Sequence, residues 1–187
     1  INKLSKLVKK CDLILLADYG HGFLTKSIRN YLQKFKNKLF LNTQINSFNR
    51  GFHTLSNYKF ANSLVLNESE LRHEMRDQNS NLDQLIKKLK NKIQLKHIIV
   101  TQGRFGSTHY VKNKKYFCPA FSDSSIDTTG AGDTFFSLAS LGLSAKINYK
   151  LMNLVSNIAS GYSVNNLTNK KYYNRVLLNR HLNYMLQ

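Results

Sequence analysis

Apolar and polar positions along the chain divide it into short apolar runs and helical stripes. Asp12-Leu13-Ile14-Leu15-Leu16-Ala17 is a continuous apolar run, the mark of a strand buried on both faces. Asp18-Tyr19-Gly20-His21-Gly22 punctuates it, and Thr25 then caps an amphipathic helix reaching to about Phe35. Further strands are predicted at Lys38–Leu41, ending at Asn42-Thr43, at Ser63–Leu66, ending at Asn67, and at His97–Val100, ending at Thr101. Helices from Glu68 to about Arg76 and from about Asn81 to Lys92 lie between the last two. Ser107–Val111 and Lys115–Cys118, joined through Lys112-Asn113-Lys114, predict a hairpin at a sheet edge. From Gly130 onward the pattern is helical, near residues 131–143, 147–165 and 172–186. This alternation argues for a single α/β domain over residues 1–187, with a mainly parallel sheet flanked by helices. Four successive strands end in polar residues. Open parallel sheets bind ligands outside the carboxyl ends of their strands, so Asp18, Asn42-Thr43, Asn67 and Thr101 are expected to rim one crevice.

Composition narrows the classes. With 187 residues, 42% of them hydrophobic, the chain can bury a core and is not disordered as a whole. No apolar run approaches the ~20 residues of a membrane-spanning helix, and Leu13–Ala17 is too short for the core of a signal peptide. Cys11 and Cys118 lie far apart, which excludes a disulfide scaffold or a four-cysteine zinc site and suits a reducing cytoplasm. Against 28 Lys and Arg stand 10 Asp and Glu, a net charge of +18. That charge raises a nucleic-acid-binding domain as one reading. Yet runs such as Lys87-Lys88-Leu89-Lys90-Asn91-Lys92 fit a solvated helix face opposite Leu85, Ile86, Leu89 and Ile93, and no nucleic-acid motif accompanies them. Neither nucleic acid nor membrane is favoured as a partner. In a chain so poor in carboxylates, acids at strand ends and helix starts stand out.

The strongest local motif is Asp127-Thr128-Thr129-Gly130-Ala131-Gly132-Asp133-Thr134, which opens an apolar helical run. Its glycines let the backbone approach a ligand. The unsatisfied amides of a helix start, at the positive end of the dipole, form an anion cradle suited to phosphate. Asp133 falls in the first turn, where a carboxylate is stabilised ionised, placed as the general base of a hydroxyl-to-phosphate transfer. A P-loop would need Lys-Ser or Lys-Thr after its last glycine, where Asp133-Thr134 stands, and a dinucleotide fingerprint would need a small residue where Phe135 stands.

The stretch Asp127–Asp133 is the motif of the ribokinase-like PfkB family of carbohydrate kinases, and the chain resembles the C-terminal part of that fold from about Asp12 to Tyr162. Asn67-Glu68-Ser69-Glu70 is similar to the family's Asn-x-x-Glu, and Thr101-Gln102-Gly103-Arg104-Phe105-Gly106 to its Thr-x-Gly-x-x-Gly nucleotide loop, in the family's order. The resemblance implies Asp133 as catalytic base, Gly130, Ala131 and Gly132 as anion hole, and Thr101, Gly103 and Gly106 lining the ATP site. It places Asn157, in Asn157–Tyr162, near the adenine. Asn67 and Glu70 would organise the water shell of magnesium, which prefers few direct carboxylates. Asp127 and Thr129 would border a monovalent-cation site, potassium being the expected ion.

Two segments point to a subfamily. Asp18-Tyr19-Gly20-His21-Gly22 resembles the Asp-Tyr-x-x-Gly of kinases acting on heptose phosphates. Asn42-Thr43-Gln44-Ile45-Asn46, with Asn49-Arg50-Gly51-Phe52-His53, resembles PfkB domains found beside nucleotidyltransferase domains. Arg50 could pair bidentately with a substrate phosphate, while Asn42, Gln44 and Asn46 could hydrogen-bond sugar hydroxyls; Asp18, His21 and His53 complete the candidates for sugar contact. The family's Gly-Gly sugar-binding motif and lid strands are absent from these residues, so the chain is expected to be the nucleotide-binding half of a longer protein, with the N-terminal part of the fold missing. The leading expectation is ATP-dependent phosphoryl transfer to a sugar or sugar phosphate in the cytoplasm, with a fused nucleotidyltransferase domain or a homodimer as compatible assemblies. The alternative is a non-catalytic nucleotide- or sugar-binding module of a bifunctional enzyme.

Overall fold

A computed structural model of the chain describes residues 1–45, 55–121, 130–164 and 174–185. They fall into two compact units, residues 1–100 with 110–113, and residues 101–109 with 114–187. The first unit begins with a short helix, α1 (Asn2–Val8), ahead of the first predicted strand. Seven residues are too few for a periodic signal, but Val8 is buried and Leu4 packs on the core, which is enough to hold the turn pair in place.

Strands β1 (Ile14–Asp18), β2 (Leu39–Thr43) and β3 (Phe60–Asn67) pair in parallel, Ile14 opposite Leu39, Asp18 opposite Thr43, and Leu41 opposite Leu64. Every residue of β2 is buried, as a strand covered on both faces requires. Helix α2 (Lys26–Gln33) begins at Thr25, whose hydroxyl accepts the Ile28 amide. Helix α3 (Glu68–Met75) follows β3 without a gap, and α4 (Leu82–Lys90) leads to β4 (Gln94–Thr101), next to β3. Both α3 and α4 start with reciprocal capping boxes, Asn67 with Glu70 and Asn81 with Gln84. One face of β1–β3 carries Leu16, Leu39, Leu41, Leu64 and Leu66, which pack with Leu32, Leu71, Leu85 and Leu89 from the helices. Strand β3 starts three residues before its predicted apolar run. Phe60, Ala61 and Asn62 lack that run, but Ala61 is buried and Asn62 hydrogen-bonds the Asn37 carbonyl.

Strands β5 (Ser107–Val111) and β6 (Lys114–Cys118) are the predicted hairpin, with Lys112 at φ 52° in its tight turn; Ser107–His109 and β6 belong to the second unit, and Tyr110–Asn113 to the first. Helices α5 (Ala131–Ser144), α6 (Tyr149–Val164) and α7 (Arg175–Met185) follow. A left-handed Lys146 ends α5, with the Ile147 amide donating to the Gly142 carbonyl, and turns the chain into α6.

Candidate active site

In the first unit the predicted sugar-side residues gather at the carboxyl ends of the parallel strands. Asp18 and Thr43 are cross-strand neighbours, and Asn42 sits opposite Ala17. All three are buried: Asp18 is 3% exposed, Asn42 6% and Thr43 7%. The Asp18 Oδ1 accepts the Gly20 amide at 3.0 Å, and Oδ2 accepts the Tyr58 hydroxyl at 2.5 Å. Burial first, and Asp18 second, push the Tyr58 phenol far above its ordinary range, so it stays a donor to that carboxylate. The Asn42 amide donates to the Val65 carbonyl at 2.9 Å, which fixes its orientation and leaves Oδ1 buried as an acceptor with no donor among the described residues. The Gln44 amide bonds the Asp18 carbonyl. Arg50, Asn46, Asn49 and His53 lie outside the described residues, as do Asp127 and Thr129.

Asn67 and Glu70 are brought together, though in the first instance by the helix. The Asn67 Oδ1 accepts the Glu70 amide at 2.7 Å and Glu70 Oε2 accepts the Asn67 amide at 2.9 Å, while Glu70 Oε1 also accepts the Ile45 amide. Among the described residues, no group of three or more His, Cys, Asp or Glu could hold a metal ion. This donor set fits magnesium only through its waters, the arrangement that a small, reluctantly dehydrated cation favours.

In the second unit Thr101 ends β4, and residues 103–105 form one 3-10 turn. The Gln102 amide bonds the Gly106 carbonyl at 2.7 Å and closes the loop. Gly106 is obligatory there: its φ is +101°, and an added Cβ would lie 2.1 Å from the Cys118 carbonyl oxygen. Gly103, Arg104 and Phe105 are exposed at the tip.

Gly130 caps α5 in the left-handed region at φ 80°, with no side-chain cap. Its carbonyl accepts the Thr134 amide at 2.9 Å, the first intrahelical bond, so the preceding first-turn amides have no acceptor within the helix. An added Cβ on Gly132 would meet none of the described residues within 4 Å, leaving space over that turn. Asp133, the third helical residue, is half-buried, and its carbonyl accepts the Ser137 hydroxyl. Amide donors, an open approach and a carboxylate on one turn fit a phosphate and a proton acceptor together.

Sequence reasoning missed several partners. Tyr58 lies 40 residues from Asp18. Ser160 donates to the Ala131 carbonyl at 3.1 Å and Ser163 to the Thr134 hydroxyl at 3.0 Å, tying α6 to the start of α5. Both serines fall within or just past Asn157–Tyr162, where spacing one turn apart on a helix was the available signal. Asn157 itself is buried, with its amide directed at Ser107 and at the Asn153 carbonyl.

Comparison with known proteins gives these geometries a family. The bifunctional protein HldE of Aliarcobacter butzleri is 28% identical over 171 residues, covering 89% of this chain and 35% of that protein. HldE of Desulfatibacillum aliphaticivorans is 29% identical over 162 residues, covering 84% and 32%. The chain thus spans about a third of the length of these curated relatives. Among solved structures, Arabidopsis thaliana ribokinase complexed with ribose and ATP superposes with a TM-score of 0.78 at 16% identity, covering 97% of this chain and 59% of that one. Phosphofructokinase-2 of Escherichia coli in complex with potassium gives 0.76 at 14% identity, covering 100% and 62%. These likenesses establish a ribokinase-like fold. Residues 6–156 match the pfkB family of carbohydrate kinases, and with four-fifths of its length inside that match the chain belongs to the family.

Proposed function

We propose that the chain carries the phosphoryl-transfer half of an ATP-dependent kinase whose acceptor is a hydroxyl of a sugar or sugar phosphate. The observation that carries this reading is the start of α5, where Gly130 caps the helix without a side chain, Gly132 leaves open space and Asp133 follows on the same turn. The amides of the Gly130–Gly132 segment would hold the charge that develops on the transferring phosphoryl group. Asp133 would take the proton of the attacking hydroxyl as its oxygen bonds to the γ-phosphorus and the bond to the leaving ADP oxygen breaks. Thr101, Gly103 and Gly106 would line the nucleotide. Asn67 and Glu70 would orient the waters of magnesium, which when bound neutralises phosphate charge, and Asp127 and Thr129 would border the monovalent cation.

On the sugar side, Asp18, Asn42, Gln44 and Arg50 are the proposed contacts. The buried Asn42 Oδ1 needs a donor, which suits a hydroxyl. Arg50 suits a phosphate already on the sugar. A second reading, a non-catalytic nucleotide- or sugar-binding module of a bifunctional protein, is favoured by one observation: the curated relatives are named bifunctional and are about three times as long as the matched region.

The two readings separate on one substitution made in the natural protein. Asp133→Asn should lower phosphoryl transfer by ~10²–10⁴-fold, the usual cost of losing a general base, while ATP affinity holds. Turnover within a few fold of the unaltered protein would remove Asp133 from the role of base.

A further inference from the structure

Directly after the Gln102–Gly106 loop lies a buried polar network that joins Asn157, expected near the adenine, to Ser107 and Asn153. The Ser107 hydroxyl, at the start of β5, donates to Asn153 Oδ1 at 2.7 Å and accepts from Asn157 Nδ2 at 2.7 Å. Asn157 Nδ2 also donates to the Asn153 carbonyl at 2.8 Å, and Asn153 Nδ2 donates to the Tyr116 carbonyl of β6 at 3.2 Å. Ser107 and Asn153 are fully buried and Asn157 nearly so. The two asparagines stand one helical turn apart on α6, so a single helix face grips both strands of the hairpin. The same end of the loop is also closely packed, because the Cys118 carbonyl oxygen lies where a Gly106 Cβ would be. Burial lifts the neighbouring Cys118 thiol to about 11, against the opposing pull of Asn157.

The donor inventory decides what Asn157 can do. A primary amide has two N–H donors, and both of those on Asn157 are engaged, one by Ser107 and one by Asn153. None is left to donate to a nucleobase. A buried hydrogen-bond network of this kind does not add much net stability over an apolar core, but it selects one arrangement of the segments it joins.

We propose that Ser107, Asn153 and Asn157 are positioning residues that fix the Gly103–Gly106 loop in its ligand-ready shape, Asn157 acting through Ser107 rather than touching the base. The proposal rests on the reading of that loop as a nucleotide site. Removing the Ser107 hydroxyl leaves Asn153 Oδ1 and one Asn157 N–H unpaired in the interior, so the loop samples other shapes and bound nucleotide must order it. Affinity falls. Turnover at saturating ATP and the preference among purines do not change, because no contact to the transferring phosphate or to the base is lost.

The test uses Ser107→Ala, Asn157→Ala and the hydroxyl-keeping Ser107→Thr in the natural full-length protein, at a temperature where circular dichroism shows each folded. ATP and GTP affinities, ATP kinetics and amide hydrogen exchange across residues 102–106 are measured. Loss of one net hydrogen bond predicts about a 2–10-fold weaker ATP affinity and higher KM for the alanine variants. Maximal rate should stay within about twofold, the ATP-to-GTP ratio should hold, loop exchange should quicken, and Ser107→Thr should restore all of these. Unchanged affinity and exchange in folded Ser107→Ala would overturn the proposal. So would a shifted ATP-to-GTP ratio in Asn157→Ala, which would mean direct contact with the base. If Asn157→Ala does not fold, Ser107→Ala decides alone. If the unaltered protein binds no ATP, the nucleotide reading itself fails, whereas exchange at the loop still shows whether the network holds it.

Discussion

At position 132 the local chemistry of the helix and the proposed chemistry of the site pull in opposite directions. Neither a positive φ nor crowding calls for glycine there, and alanine is the better helix former. Gly132→Ala is therefore expected to raise stability by a few tenths to ~1 kcal/mol, seen as a higher urea midpoint. It should also slow phosphoryl transfer, because the methyl group occupies the space proposed for the phosphate. A stabilised variant with undiminished rate would mean that this space is not used. Such residues are legible from sequence because their pattern is local, two glycines flanking an alanine and then an acid at the head of an apolar run. Tyr58 against Asp18, or Asn153 and Asn157 against Ser107, join positions 40 to 50 residues apart, and no periodicity or motif links them in advance.

Among the elements, α3 shows how one pair of residues can serve a helix and a ligand. Glutamine closes a capping box as glutamate does. Glu70→Gln keeps the capping box but gives up the oxygen that accepts the Ile45 amide, so it should lower the urea midpoint only slightly while raising several-fold the magnesium concentration needed for half-maximal rate. An unaltered magnesium dependence in kinetic titrations would confine Glu70 to the helix start. Strand β4 supplies a pH effect. Burial first, and Lys96 second, hold the half-buried His97 imidazole down at about 4, against an ordinary 6.5. As pH falls through 6.5 the unfolded chain takes up a proton that the folded chain refuses, so this group withdraws stability progressively down to about pH 4. His97→Gln should flatten that decline by roughly 1–2 kcal/mol between about pH 7 and about pH 4.5, measured by urea unfolding. An identical decline in both proteins would assign it to other groups. Most elements follow from apolar spacing plus a cap, Thr25, Asn67 and Asn81 being the clearest. The exceptions are those that spacing alone cannot define: α1 is too short for a period, and Phe60, Ala61 and Asn62 at the start of β3 form no continuous apolar run yet become strand through neighbours distant in sequence.

For the whole molecule, the surplus of 28 cations over 10 anions dominates. Ion pairs such as Glu68 with Arg72 and Asp77 with Lys88 engage individual acids but cannot offset a net +18, and like charges repel through the folded state. Raising salt from about 10 mM to about 150 mM shortens the screening length from about 30 Å to about 8 Å and should raise the melting temperature. A melting temperature that is flat or falls over this range would show that the cations are too well dispersed to matter.

The two outer strands give that same charge a second consequence. Strand β6 presents Lys114 and Lys115 along its exposed length, the usual guard against another strand adding on. Among the described residues β1 pairs with β2 alone, its residues Ile14–Ala17 are uncharged and apolar, and Leu15 is 41% exposed. Among the described residues Ile14–Ala17 set no charge against a second copy of this chain, and the long-range repulsion between two strongly cationic molecules opposes such pairing. Salt therefore acts with opposite signs at two levels, tightening each molecule while lowering the barrier that keeps neighbouring copies from zipping together along β1.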